Sequence, residues 1–380
     1  MDFKFLEKLL DGFPNLGIPG VDCIVQIGYD TVFRHSAGFA DREKQIPVSG
    51  NETFNLYSST KPVTCTAALQ LYEQGKFLLS DPVYEYLPEF RFMDIEERDA
   101  AGEKTLRPAK NPIRVADLFS MTAGFDYELD KKAFQETLER TKGKAPTREM
   151  IRALAGEPLH YEPGTRWHYS LAHDVLGALI EVVSGERFGA YLKKHVFEPL
   201  GMKHTGFVCS PQMEERMMAQ YKRDPKTGKV ERIGPENPYI FGPEYESGGA
   251  GLISCVEDYA RFAAALANGG TAENGERILS PATIGLMHKD QLNDRKRADF
   301  QSYFPHFTGY GYGLGVRTLV DGAAAGSNGP EGEFGWPGAA GVNVLIDTKN
   351  KISMFYAQHM LESLEPYTHR RLRNVLYACL

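Results

Sequence analysis

Apolar positions recur along this chain at two periods, and the switches between them mark out its elements. Leu6, Leu9 and Leu10 fall on one side of a helix, broken by Gly12 and Pro14. Residues 21–27 and 31–37 read as two strands joined in a hairpin at Gly28-Tyr29-Asp30. A helix follows in which Ala67, Ala68, Leu71 and Tyr72 keep helical spacing and Gly75 is the stop. From Leu78 the pattern is irregular and mostly helical. Residues 94–113 are charged and loop-like, residues 114–121 and 147–154 predict short helices, and Thr147 is placed to cap the second. After a turn at Pro163-Gly164, Leu171, Val175, Leu176, Leu179, Ile180 and Val183 share one face of a helix that ends at Gly185.

Residues 220–233 alternate about Asp224-Pro225-Lys226-Thr227-Gly228, a second hairpin. Ser247-Gly248-Gly249-Ala250-Gly251 is a glycine-rich bend that feeds a helix over 256–268. Residues 341–347 and 351–359 predict two strands, and Leu372, Val375, Leu376 and Cys379 a closing helix. Strands at both ends with helices between them predict an α/β plus all-α architecture. An antiparallel sheet built from both termini and flanked by helices forms one domain (residues 1–76 and 220–380). A mostly helical domain (residues 77–219) is inserted into it.

Composition changes this picture little. At 380 residues, 42% hydrophobic and 24% charged, the chain can bury a full core as one large domain or two. A net charge of −7 gives no footprint for nucleic acid or an anionic membrane surface. No apolar run approaches the roughly 18 residues a bilayer span needs, and the charged first residues lack the apolar core of a signal peptide. Cys23, Cys65, Cys209, Cys255 and Cys379 are scattered, odd in number and without Cys-x-x-Cys spacing. That predicts free thiols in a reducing compartment, the cytoplasm by default, and no zinc site. No Gly-x-Ser-x-Gly elbow, no metal-spaced His/Asp cluster and no nucleotide-binding glycine pattern is present, so neither a metal nor a cofactor is expected.

The candidate chemistry lies in Tyr57-Ser58-Ser59-Thr60-Lys61-Pro62, read as the first turn of a helix. Three residues apart is one face, so the Ser58 hydroxyl and the Lys61 amine can meet. A serine alcohol needs a neighbouring base, and a lysine whose pKa is lowered by burial can be one. Pro62 forfeits no bond there, because the first N–H groups of a helix have no partner within it. Composition alone yields about one Ser-x-x-Lys in a chain of this size, so the pair needs company.

That company is Leu118-Phe119-Ser120-Met121-Thr122-Ala123-Gly124, Pro163-Gly164-Thr165-Arg166-Trp167-His168-Tyr169-Ser170-Leu171, Gly249-Ala250-Gly251-Leu252-Ile253-Ser254 and Phe334-Gly335-Trp336-Pro337-Gly338. With these four stretches in order, nearly the whole chain resembles the serine β-lactamase/penicillin-binding-protein superfamily, most of all its class-C-like esterases, the family VIII carboxylesterases. The resemblance implies a serine hydrolase that cleaves a small-molecule carboxylic ester through an acyl-serine intermediate, or an acyltransferase. Ser58 would be the nucleophile, with Lys61 and Tyr169 carrying its proton. A phenol flanked by ammonium groups can have its pKa lowered enough to do so, although a core tyrosine with a satisfied hydroxyl is the ordinary state.

Leu171 stands where the β-lactamases keep an asparagine that recognises a substrate amide, and leucine would give a drier pocket suited to an ester. Lys226-Thr227-Gly228 imitates a family triad but sits at a hairpin tip before the glycine-rich bend, whereas the triad comes after it. The positional match is Trp336-Pro337-Gly338. Trp336 replaces the cation that would hold a β-lactam carboxylate, and could equally be a strand aromatic of the core. Gly338 lets the backbone approach a substrate. The N–H groups of Ser58 and Ala339 would form an oxyanion hole, such donors being worth roughly 3 kcal/mol each. Tyr303, Phe304, Phe307, Tyr310 and Tyr312 pack a core and lid or wall an acyl pocket. A β-lactamase or D-amino-acid peptidase using the same residues, and a non-catalytic member of the fold, are the alternatives.

Overall fold

In the computed structural model, which describes residues 1–98 and 102–380, both ends of the chain enter one sheet. Helix α1 (Lys4–Asp11) precedes the hairpin of β1 (Gly20–Ile27) and β2 (Asp30–Asp41), followed by β3 (Ile46–Pro47). Strand β4 (Thr53–Asn55) passes through a tight turn at Tyr57–Ser59 into α2 (Thr60–Glu73). A hairpin of β5 (Asp94–Arg98) and β6 (Lys104–Pro108) then leads into α3 (Val115–Phe119), α4 (Lys132–Arg140), α5 (Thr147–Leu154) and α6 (Ala172–Ser184). Three short helices come next, α7 (Phe188–Leu192), α8 (Glu198–Leu200) and α9 (Pro211–Glu215). The hairpin β7 (Tyr221–Arg223) and β8 (Val230–Arg232) precedes β9 (Ile253–Cys255), α10 (Val256–Ala267), α11 (Pro281–Met287) and α12 (Asp294–Tyr303). The last stretch holds β10 (Tyr310–Tyr312), β11 (Arg317–Leu319), α13 (Gly322–Ala325), β12 (Phe334–Gly335), β13 (Asn343–Asp347), β14 (Ile352–Ala357), β15 (Met360–Leu361) and α14 (Glu365–Cys379).

The main sheet has eight strands in the order β10-β11-β12-β13-β14-β1-β2-β3, and its paired neighbours run antiparallel. It is thus built from both ends of the chain. The pleat sends alternate side chains to opposite faces. Val21, Cys23 and Val25 of β1 join Met354 and Tyr356 of β14 against Leu6 and Leu10 of α1 and Leu372 and Leu376 of α14. On the other face Ile24 and Phe355 meet Phe262, Ala263 and Leu266 of α10, with the Tyr259 ring stacked on Phe355 at 4.4 Å between centroids. Helix α2 lies deeper: residues from Thr60 through Leu69 are all buried, on every side of the helix. A helix enclosed all round belongs in a core, and this one carries the candidate lysine into it.

Several local expectations differ from what is observed. Residues 94–113 are a hairpin at their start, not a loop: Glu96 pairs with Leu106 and Glu97 with Thr105. Its charges are cross-strand ion pairs, Lys104–Glu96 at 2.8 Å and Arg107–Glu97 at 2.7 Å, which hid the strand pattern behind polarity. Helix α4 went unanticipated because it buries only Phe134 and Thr137. Thr147 does not cap α5; Pro146 holds that position, and the Thr147 hydroxyl accepts from the Glu246 N–H at 2.7 Å, tying α5 to the glycine-rich bend. Lys226-Thr227-Gly228, by contrast, is the hairpin turn expected: Asp224 Oδ1 accepts from the N–H groups of Lys226 (2.7 Å) and Thr227 (3.1 Å). Among the described residues no helix is long and apolar enough to cross a membrane.

Candidate active site

The chain turns sharply before the candidate nucleophile. Tyr57 adopts φ +48°, a left-handed conformation that costs a non-glycine residue on the order of 1 kcal/mol or more. Tertiary bonds hold it there. Tyr57 Oη donates to Gln220 Oε1 at 2.6 Å, and the Leu56 N–H to the Leu252 carbonyl at 2.9 Å. The next turn is fixed as firmly, since Ser59 Oγ donates to the Trp336 carbonyl at 3.0 Å and Tyr259 Oη to the Ser59 carbonyl at 2.6 Å. Ser58 is left half-buried between buried neighbours, facing a cavity.

Lys61 has no solvent exposure. Its Nζ donates to the Gly249 carbonyl at 2.7 Å and to Ser58 Oγ at 3.3 Å. Burial brings its pKa down to about 7, against the opposing pull of Asp174 and Cys65. Near neutral pH a large share of Lys61 is therefore a free amine pointed at a hydroxyl, the requirement for a general base.

Tyr169 joins this pair in a way that corrects one expectation. Lys61 Nζ stands over the Tyr169 ring, 4.5 Å from its centroid, rather than at the phenol oxygen. The oxygen has Ser58 and Trp336 as polar neighbours, Trp336 Nε1 donating to it at 3.2 Å. Burial holds the phenol far above its usual range, and those two hydrogen bonds only temper the rise. Tyr169 is a neutral phenol, not a lowered one, because the cation meets the ring face while desolvation acts on the oxygen.

The cavity at Ser58 measures about 320 Å³. The segment after β12 supplies Trp336, Pro337, Gly338 and Ala339, so Ser58 and Ala339 border the same space. Gly338 is required by packing: a Cβ there would lie 2.1 Å from the Leu56 carbonyl oxygen. Tyr127 stacks on Tyr169 at 5.5 Å and 14° between planes, and Tyr239, Tyr303 and Phe304 complete an aromatic wall. Of the aromatic-rich stretch, then, Tyr303 and Phe304 reach the cavity, while Phe307, Tyr310 and Tyr312 are buried in the core. Leu171 does not line the cavity. It is 3% exposed, sits at the entrance to α6, and donates its N–H to the Asp126 carbonyl at 3.0 Å. Larger hollows of about 620 and 870 Å³ elsewhere do not include Ser58.

One residue beside Lys61 escaped the sequence reading, and a second, Gly249, was read only as part of a close-packed bend. Asp174 on α6 is fully buried, and its Oδ1 accepts from Ser247 Oγ at 2.6 Å and Tyr245 Oη at 2.9 Å. Burial raises its pKa, with Ser247, the Lys61 charge and Tyr245 working against the rise. An acid in the first turn of a helix reads as ordinary dipole compensation, so nothing in the pattern set it apart. Gly249 is packed closely, as expected of a bend glycine. A Cβ on it would stand 2.6 Å from Asp174 Oδ2, 3.1 Å from Tyr127 Oη and 3.4 Å from Lys61 Nζ, so these three polar atoms converge where a side chain would go. Far from the cavity, Glu7, Asp11 and His35 cluster with their ligand-type atoms within 4.8 Å of one another, a grouping of α1 with β2 that sequence spacing could not show. His35 Nε2 and Asp11 Oδ1 are hydrogen-bonded at 2.8 Å. All five cysteines are free.

Comparison with known proteins identifies the family and the fold. The chain belongs to the Beta-lactamase family, whose family model matches residues 6–378. It is 32% identical to Protein Rv1367c of Mycobacterium tuberculosis over 330 residues, covering 84% of this chain and 80% of that protein. It is 29% identical to Esterase EstB of Burkholderia gladioli, covering 94% and 91%. Among solved structures, EstCE1, described as a hydrolase with promiscuous acyltransferase activity, superimposes with a TM-score of 0.78 at 26% identity, covering 98% of this chain and all of that one (100%). The fold is therefore β-lactamase/transpeptidase-like, as the resemblance implied.

Proposed function

We propose that this member of the Beta-lactamase family is a serine carboxylesterase that works through an acyl-Ser58 intermediate. One observation carries the reading: a buried amine with a pKa of about 7 donates to the Ser58 hydroxyl at 3.3 Å, at the edge of an aromatic cavity. Ser58 Oγ attacks the ester carbonyl while Lys61 takes its proton. The Lys61 ammonium returns that proton to the leaving alcohol, with the neutral Tyr169 phenol hydrogen-bonded beside Ser58. The oxyanion rests on the N–H groups of Ser58 and Ala339, and water or a second alcohol then takes the acyl group. Similarity to an esterase and to a hydrolase with acyltransferase activity supports ester chemistry over amide chemistry. So does Trp336, which leaves no cation at the position where a β-lactam carboxylate would be held. Five free thiols fit a cytoplasmic enzyme.

The test is hydrolysis of p-nitrophenyl butyrate by the parent protein and by Ser58→Ala. Activity should fall by at least a thousandfold in the variant, and equal rates would refute the assignment. Nitrocefin and D-Ala peptides assayed alongside should turn over far more slowly than the ester; efficient cleavage of either would favour the β-lactamase or peptidase alternative.

A further inference from the structure

The wall of the Ser58 cavity carries more information than the reaction needs. Its side chains are rings, with Tyr127, Tyr239, Tyr303, Phe304 and Trp336 surrounding the space beyond Tyr169, and one carboxylate, Glu365. Neither lysine nor arginine borders it among the described residues. The phenols of Tyr127, Tyr239 and Tyr303 are held above their usual pKa by burial, so these rings stay neutral. On the inner side the Lys61 amine already stands over two ring faces, its Nζ 5.3 Å from the Tyr127 centroid and 4.5 Å from that of Tyr169.

Glu365 begins α14 with its side chain 17% exposed. His306 Nε2 meets its Oε1 at 2.9 Å, the one hydrogen-bond partner of this carboxylate among the described residues. Burial would raise its pKa, but the hydrogen bond to His306, with the Arg317 charge in support, brings it below the usual range, so it stays ionised. Arg317 is engaged elsewhere, with its Nη1 on Glu333 Oε1 at 2.9 Å, fully buried behind the wall. The second oxygen of Glu365 is left for a ligand. Aromatic rings beside an ionised carboxylate are the chemistry that binds an ammonium group, and a carboxylate-bearing ligand would meet like charge instead.

We propose that the cavity selects esters that carry a cationic ammonium group a short aliphatic linker from the ester oxygen, with Glu365 and the tyrosine-rich wall as the specificity determinants. This rests on the esterase reading and names the substrate class it leaves open.

The experiment compares butyrylcholine with 3,3-dimethylbutyl butyrate, which has the same shape without the charge, at low ionic strength. The expected kcat/KM ratio favours the cationic ester by about tenfold or more, mostly through KM. Glu365→Gln should bring that ratio close to one, and because it is a ratio of two substrates on one protein, general damage to the enzyme cancels. A neutral ester cleaved as well as its cationic counterpart, or a preference that survives Glu365→Gln, overturns the proposal. Should neither ester be hydrolysed, the esterase reading is what has failed. Calorimetric binding of the same two compounds to Ser58→Ala then decides the present point, tighter binding of butyrylcholine supporting it and equal binding overturning it.

Discussion

Replacing Lys61 by methionine should remove the activity and stabilise the protein. The chain keeps an amine with an ordinary pKa of 10.5 in a place where it falls to about 7. At about 1.4 kcal/mol per pKa unit, that difference costs the fold on the order of 5 kcal/mol while the unfolded lysine is protonated. The sign follows from proton counting. Above about pH 10.5 both states hold a neutral amine and the penalty vanishes; it builds as pH falls toward 7 and is complete below that. Methionine has similar length and no charge to desolvate. It gives up the bond to the Gly249 carbonyl, whose buried orphan oxygen costs about 1–3 kcal/mol, and it deprives Asp174 of a favourable neighbour. The net gain near pH 6–7 should be roughly 2–3 kcal/mol, shrinking through zero and changing sign as pH approaches 10. Urea unfolding of parent and Lys61→Met at pH 6, 8 and 10 measures it, since groups common to both proteins cancel in the difference. A variant no more stable than the parent at pH 6, or a difference that does not change with pH, would refute the argument that desolvation dominates at Lys61.

Other outcomes follow from the same contacts. The kcat/KM for a neutral ester should rise through about pH 7 and level off above it, as Lys61 loses its proton. Asp174→Asn removes a charge that favours the ammonium, so this rising limb should move to lower pH; a limb that moves up would show the carboxylate acting otherwise. Trp336→Phe deletes the donor to Tyr169 Oη and should lower kcat about tenfold, with the fold monitored by circular dichroism. Gly338→Ala forces a Cβ to within 2.1 Å of the Leu56 carbonyl oxygen and 2.6 Å of Val342 Cγ2. It should lose several °C in Tm together with ester hydrolysis, because the displaced backbone carries the Ala339 N–H.

What sequence made legible was periodic. Strand β1 is buried on both faces and the α6 stripe ends at a left-handed Gly185, so both were found nearly to their boundaries, whereas of α14 (Glu365–Cys379) only the half that repeats Leu372 and Leu376 one turn apart was seen. That Ser58, Lys61 and Tyr169 would come together was legible as well, the first two by helical spacing and the third through the family resemblance. Missing were features that exist only in three dimensions. The ion pairs of the β5–β6 hairpin look like a solvated loop until Glu96 is seen opposite Leu106. Asp174 is one acid among many until it is found buried beside Lys61. Leu171 occupies a motif position, yet its backbone, bonded to Asp126, turns the side chain into the core. Tyr169 shows the same limit at the level of charge. Adjacency to a lysine was foreseeable, but the completeness of its burial was not, and burial decides the direction of its pKa.

Strand β1 leaves the ribosome well before Phe355, which pairs with Ile24. Until then the nascent hairpin has an open, apolar edge, and such edges recruit other chains. The machinery waits too: the Ser59 hydroxyl is fastened to the Trp336 carbonyl and the Ser59 carbonyl to Tyr259, both far downstream. Translation arrested before β14 would therefore yield a fragment that is inert and prone to aggregate, so quality control by solubility doubles as quality control by catalysis.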